Sequence, residues 1–180
     1  MTYRILVTGS RTSKDWEIVW QATEEAIDRG RALGHTDFEV VHGGAEGPDT
    51  FAHDFCEDQA GWYSDYASLS LGEELHRPDW STCKGPKCTP AHRKPRRDGS
   101  TFCPRAPLTR DDEMVALGAN ECLAFIDPCA KPGCRKVQPH GSHGASYTAD
   151  RAEDAGIPTL RYPAIPGQPH RHRPALPPTP

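Results

Sequence analysis

The sequence predicts an α/β fold, with a parallel sheet between two layers of helices in a single domain. Three observations point there. Short apolar runs of strand length alternate with segments of helical spacing, the pattern of strand–helix units around a parallel sheet. Glycine-rich turns stand where strands give way to helices. The segments that break the alternation, residues 81–107 and 127–143, are rich in cysteine and histidine, so they read as insertions with an organising device of their own. The 180-residue length suits one domain. A hydrophobic content of 36%, with 16 glycines and 18 prolines, assigns part of the chain to loop or tail rather than core.

Residues 3–8 (Tyr-Arg-Ile-Leu-Val-Thr) read as a buried first strand, turned by Gly9 and Ser10. Thr12 with Asp15 has the form of a helix start, and Trp16, Val19, Trp20, Thr23 and Ile27 keep helical spacing up to the stop signals Gly30 and Gly34. Residues 38–42 are the second strand. The glycine-rich turn from His42 to Asp49 leads into a helix over Asp49–Ala60, stopped by Gly61. A short strand is expected near Leu75–Arg77, while the insertion 81–107 shows no regular element. Residues 109–117 read as a helix ended by Gly118, and Glu121–Ile126 as a buried strand. Gly144–Ala155 is an alanine-rich helix ended by Gly156, and Ile157–Tyr162 the last strand. The domain thus spans residues 1–162, and the seven prolines from Pro163 to Pro180 mark residues 163–180 as a disordered tail.

A formal net charge of −4 opposes a protein coated in positive charge for nucleic acid, although a local basic patch is compatible with it. The first apolar run is too short for a signal-peptide core, and no stretch approaches the roughly 18 apolar residues of a membrane helix. The expectation is a cytoplasmic protein with no membrane partner. In a reducing compartment, seven cysteines are not a disulfide framework.

Three strand-to-helix turns share one chemical character: Thr8-Gly9-Ser10-Arg11, Gly43-Gly44-Ala45-Glu46-Gly47 and Gly141-Ser142-His143-Gly144-Ala145. Glycine lets backbone approach an anion, and the following helix supplies free N–H groups and the positive end of its dipole. Ser10 and Ser142 add hydroxyls, and Arg11 adds a cation suited to phosphate. In a doubly wound sheet these turns share the ligand-binding edge. A single such turn is as well explained by tight-turn geometry; three together predict a phosphate-containing ligand. Asp49 either caps its helix or hydrogen-bonds a ribose.

Ile-Leu-Val-Thr-Gly-Ser-Arg (5–11), His-Gly-Gly-Ala-Glu-Gly-Pro-Asp (42–49), Arg-Pro-Asp-Trp (77–80), Arg-Asp-Asp-Glu-Met-Val (110–115), Gly-Ser-His-Gly-Ala (141–145) and Ala-Gly-Ile-Pro (155–158) together resemble the YspA/YpsA-related branch of the SLOG superfamily. The resemblance spans residues 3–162. It implies a Rossmann-like three-layer sandwich, a nucleotide-derived ligand contacted by Arg110 as well as by the three turns, and a homo-oligomer. Members of that superfamily include phosphoribohydrolases, DNA-processing proteins and sensors of nucleotide signals. The phosphoribohydrolases carry a Pro-Gly-Gly-x-Gly-Thr turn with a glutamate soon after. This chain has His-Gly-Ser-His-Gly-Ala and no glutamate before Glu153, so the resemblance implies binding more than hydrolysis. Asp111 stands where the branch tends to have asparagine, and repels phosphate unless it pairs with Arg110.

Cys83, Cys88, His92 and Cys103 place four zinc-type ligands in one insertion with little apolar material to fold around, so a structural Zn²⁺ replaces the missing core. Cys129, Cys134 and His140, with His143, form a second candidate, although His143 also lies in the third turn and His140 beside it. A third arrangement pools Cys129 and Cys134 with two ligands of the first insertion. One or two zinc ions are therefore expected, with Cys56 and Cys122 as plain buried residues. Beside the first set, Arg93, Lys94, Arg96 and Arg97 form a basic run: either a solvated loop face or a contact to nucleic acid, with Phe102 alone available to stack a base.

The leading expectation is binding or sensing of a nucleotide-derived ligand. The alternatives are hydrolysis of a nucleotide N-glycosidic bond, with no catalytic residue assigned, and a nucleic-acid-binding accessory role through the basic run.

Overall fold

The computed structural model describes residues 1–84 and 88–162. The expected proline-rich tail lies outside them. Five parallel strands form the sheet: β1 (Tyr3–Gly9), β2 (Asp37–His42), β3 (Ser70–Leu75), β6 (Glu121–Phe125) and β7 (Thr159–Tyr162), in the order β3-β2-β1-β6-β7. A separate two-stranded antiparallel hairpin, β4 (Lys94–Pro95) with β5 (Thr101–Phe102), lies inside the first insertion.

The central strand explains why the chain folds in three layers. Ile5 and Val7 point into one cluster, where Val19, Ala26 and Ile27 of α1 (Trp16–Ala32) and Ala52 and Phe55 of α2 (Pro48–Trp62) are buried. Leu6 points into the other, with Met114 and Val115 of α3 (Ala106–Ala116) and Ala145, Ala149 and Ala152 of α4 (His143–Asp154). A strand buried on both faces needs a continuous apolar run rather than alternation. Each of Ile5, Leu6 and Val7 is fully buried, which stabilises the fold by about 1.5–3 kcal/mol apiece.

The element boundaries shift from expectation in places, each for a local reason. Helix α1 starts after Asp15, whose carboxylate accepts from Ile18 N–H at 3.2 Å, and not at Thr12. It runs through Gly30, where a Cβ would stand 2.5 Å from the Phe38 ring, so this glycine marks close packing on the sheet rather than a stop. Strand β3 ends at Leu75 where the expected strand began. Its polar stretch Ser-Leu-Gly-Glu-Glu-Leu hides an edge strand. Glu73 there accepts from His42 and His53, and Glu74 pairs with Arg4 and His76. Helix α3 begins three residues early, on Ala106-Pro107, because proline suits a first helical turn. Among the described residues, no helix is long and apolar enough to cross a membrane.

Candidate functional site

Strand β1 is followed on one side by β2 and β3 and on the other by β6 and β7. Loops leaving β1 and β6 therefore diverge, and a crevice opens between them at the carboxyl ends of the strands. A cleft of about 500 Å³ occupies that place, between the β1–α1 turn, the side of α3, the 128–131 segment and the start of α4.

Its upper wall is the N-terminus of α4. No side chain caps this end: the N-cap residue Ser142 makes no capping hydrogen bond. The first-turn N–H groups of a helix have no partner within the helix, and here Gly144 and Ala145 face the cleft. A Cβ on Gly144 would meet nothing within 4 Å, so there is room for a ligand atom beside the backbone. Ser142 is held from below. The buried Ser10 hydroxyl donates to Ser142 Oγ at 2.7 Å and accepts from Asp127 N–H at 2.8 Å, which joins the β1–α1, β6–α4 and α4 segments. Arg11, the next residue, is exposed at the cleft rim and makes no ion pair or hydrogen bond among the described residues.

The floor is a buried charge cluster. Arg110 Nε lies 2.7 Å from Asp111 Oδ1 but off the donor direction, so the ion pair forms while this buried N–H keeps no acceptor. Nη1 of Arg110 donates to the His76 carbonyl at 3.1 Å. Burial lifts the Asp111 carboxyl to about 6 against the pull of Arg110, with nearby Asp49 adding to the rise. Burial also pushes Asp49 up, although the Ala45 N–H, Arg110, His42 and the Gly43 N–H all pull it down.

The glycine turn of β2–α2 is different. Its N–H groups are already used: Asp49 Oδ2 accepts from Gly43 N–H at 3.0 Å and Ala45 N–H at 3.1 Å, and His42 Nδ1 accepts from Gly44 N–H at 3.2 Å. Its glycines answer to packing. A Cβ on Gly43 would sit 1.3 Å from Arg110 Nη1, and one on Gly47 2.8 Å from the Ser10 carbonyl.

Two Cys/His clusters are formed, and the second contributes Cys129 and His143 to the lining of this cleft. Cys83, Cys88, His92 and Cys103 come together with their ligand atoms within 4.8 Å of one another, and Cys129, Cys134, His140 and His143 do the same. Zinc–sulfur and zinc–nitrogen bonds of about 2.3 and 2.05 Å imply tetrahedral edges of about 3.8 Å between two sulfurs and about 3.6 Å between sulfur and nitrogen. The structure has 3.7 Å between Cys88 and Cys103 Sγ, 3.5 Å between Cys83 Sγ and His92 Nε2, and 3.3 Å between Cys134 Sγ and His140 Nε2. Both donor sets thus fit a tetrahedral metal. The Gly141 carbonyl, 2.7 Å from His140 Nδ1, fixes the proton there and leaves Nε2 for the metal. At His92 the Thr89 N–H faces Nδ1 at 3.3 Å, so ligation through Nε2 requires this contact to open. Burial raises the Cys103 thiol, but His92, the Arg105 N–H and the neighbouring thiols outweigh it and bring it down to about 6. The Lys136 N–H, then His143 and His140, bring Cys134 to about 6 as well. Thiolates near neutral pH are the ligating form.

A third group, His42, His53 and Glu73, also gathers within 4.8 Å. Here the spacing is that of hydrogen bonds: Glu73 lies 2.7 Å from His42 Nε2 and 3.0 Å from His53 Nδ1. Gly44 N–H donates to His42 Nδ1 and Glu73 holds its Nε2, so both ring nitrogens are engaged in hydrogen bonds.

No model of a known protein family matches the sequence. The chain is 33% identical to the Gene 61 protein of Mycobacterium phage D29 over 159 residues, which cover 88% of this chain and 95% of that protein. The chain belongs to the Gene 61 protein family. In this member of the family, the expected ligand residues Gly9, Ser10, Arg11, Ala45, Asp49, Arg110, Ser142, Gly144 and Ala145 line one cleft. Gly43, Gly44, Gly47 and Gly141 do not. The first three shape the Asp49-closed turn, and Gly141 bridges to Pro128 at the base of the second insertion. Asp49 does not cap its helix, whose N-cap is Gly47; its carboxylate closes the turn instead. The metal-ligand expectation resolves into two separate sets, and the pooled arrangement of Cys129 and Cys134 with the first insertion is not formed. The basic run is partly spent: Arg93 donates to Ser81, Thr101 and Cys83, and the Arg96 guanidinium sits 5.5 Å over the Phe102 ring. Lys94 and Arg97 are exposed. Sequence reasoning missed Lys131 and the apolar wall of Pro107 and Leu108, which line the cleft. Pro107 carried a signal, as proline in a first helical turn.

Proposed function

We propose that this chain binds a nucleotide-derived, phosphate-containing ligand in the cleft between β1 and β6, as a SLOG-type domain with zinc in its two Cys/His clusters. The observation that carries the reading is the uncapped N-terminus of α4 opening into a cleft at whose rim stands Arg11, which pairs with nothing among the described residues. Helix-end N–H groups and a free guanidinium complement phosphate oxygens. The apolar wall of Pro107, Leu108 and Met114 offers a surface against which a base or ribose could lie. Calorimetric titration of the zinc-loaded protein with AMP and with ADP-ribose tests the reading. Saturable binding of either, weakened by added inorganic phosphate, is the expected result, and no heat from either at millimolar concentration contradicts it.

A second reading, cleavage of a nucleotide N-glycosidic bond, is favoured by one feature. Asp111 is a buried carboxyl at the cleft floor with a pKa of about 6, suited to proton transfer near neutral pH. Release of adenine from AMP, lost in Asp111→Asn, would establish it; AMP recovered intact would leave binding alone.

A further inference from the structure

The two metal clusters are not equivalent, and we propose that the second one is a latch on the cleft: a zinc-type divalent ion held by Cys129, Cys134, His140 and His143 sets the cleft wall and the entry to α4, so ligand affinity depends on the loading of this site and not of the first. The inference rests on the phosphate reading of the cleft and names its regulation.

Four observations support it. The segment between Pro128 and Pro139 buries no apolar side chain, and Val137 is 89% exposed. Its backbone is tied at the ends, where Cys129 N–H donates to the His140 carbonyl at 2.8 Å and Ser142 N–H to the Asp127 carbonyl at 2.9 Å. Within the loop, Cys134 N–H reaches only the Lys131 carbonyl, at 3.2 Å. An ion on four side chains would supply the cross-link that a core supplies elsewhere. Next, two of the four ligands, Cys129 and His143, themselves line the cleft, and between Cys129 and Cys134 lies Lys131, which lines it too. His143 is also the first residue of α4, so a metal bond there sets the position of the N–H groups on its first turn. Finally, the first cluster lacks this connection. None of its ligands lines the cleft, Cys103 is 1% exposed, and the insertion has its own hairpin and the Arg93 brace. A divalent ion on two thiolates and two neutral imidazoles is also net neutral, so the loaded latch places no repulsive charge beside a phosphate.

The test uses the full chain, zinc-loaded, with two variants. Cys134→Ser removes the second site without altering a cleft-lining residue, and Cys88→Ser removes the first. Native mass spectrometry counts zinc, hydrogen exchange follows residues 127–147, and calorimetry measures AMP binding. Wild type is expected to carry about two zinc ions per chain. Cys134→Ser should lose one zinc, lose protection over 127–147 and bind AMP about tenfold or more weakly, with the melting of the sheet little changed. Cys88→Ser should lose the other zinc and hold its AMP affinity within about twofold. Unchanged affinity in Cys134→Ser, or an equal loss in Cys88→Ser, overturns the latch. If loaded wild type binds neither AMP nor ADP-ribose, the phosphate reading falls by itself. Zinc-dependent protection of 127–147 then still upholds the metal's hold on the cleft wall, and protection indifferent to zinc overturns it.

Discussion

Two turns of this molecule look alike in sequence and behave differently in structure. Gly43–Gly47 and Gly141–Ala145 both carry glycine between a strand and the next helix, although the second stands beyond the 127–143 insertion and runs into the first turn of α4. In the first, an acceptor from the same segment, Asp49, occupies the N–H groups of Gly43 and Ala45. In the second no side chain caps the helix, and Gly144 and Ala145 face a cleft. A glycine-rich turn is therefore open to an anion only when its own chain leaves the donors free. What decides is one carboxylate, placed two residues after Gly47 in one turn and without a counterpart in the other.

The contrast breaks most readily at Gly43. Gly43→Ala drives a Cβ into the Arg110 guanidinium, which is packed at 1.3 Å from that position and held to Asp111 and His76. Displacing Arg110 leaves buried carboxylates unpaired, so the expected loss is about 3–5 kcal/mol of stability, read from chemical denaturation. Asp49→Ala frees two N–H donors in a buried turn and should cost about 2–3 kcal/mol by the same measurement. If it instead raised affinity for inorganic phosphate with stability unchanged, the first turn would be a masked anion site rather than a structural one.

A smaller effect concerns pH. Asp111 is neutral below about 6 and charged above it. Its folded pKa is raised, so it contributes stability at low pH that is lost as pH rises from the ordinary carboxyl value through about 6. Its charge faces the same cleft, so affinity for ADP-ribose, whose diphosphate does not titrate there, should strengthen as pH falls from 8 to 5.5. Asp49, which burial also pushes up, acts in the same direction, so the diagnostic part is what Asp111→Asn removes: a flatter profile and tighter binding at pH 8. An unaltered profile would place the titrating group elsewhere. The smallest expected change is in the other turn. Gly144→Ala meets no atom within 4 Å and should leave stability unchanged or raise it by up to about 1 kcal/mol, while crowding the ligand and weakening its binding.

The layered fold was legible because β1 and β6 are apolar on both faces and the helices keep their spacing. Strand β3 was not, because its glutamates find partners on β1, β2 and α2 that no local pattern reveals. The two Cys/His groups were legible from spacing, whereas only the structure shows that Cys129 and Cys134 gather with His140 and His143 and not with the 81–107 insertion. In the cleft, Arg11 and Gly144 were readable from the turn chemistry. The closure of the Gly43 turn was not, since a helix-entry aspartate can cap, bind or fold back, and only three-dimensional geometry decides which.

Arg11→Ala decides whether the cleft rim holds a phosphate. Calorimetric titration with AMP or ADP-ribose, beside thermal melts of the ligand-free protein, separates a phosphate contact from a structural one. Arg11 pairs with nothing among the described residues, so Arg11→Ala should weaken binding by about 2–3 kcal/mol, with partial recovery in Arg11→Lys and an unchanged melting temperature without ligand. A lowered melting temperature with unchanged affinity would contradict the phosphate contact.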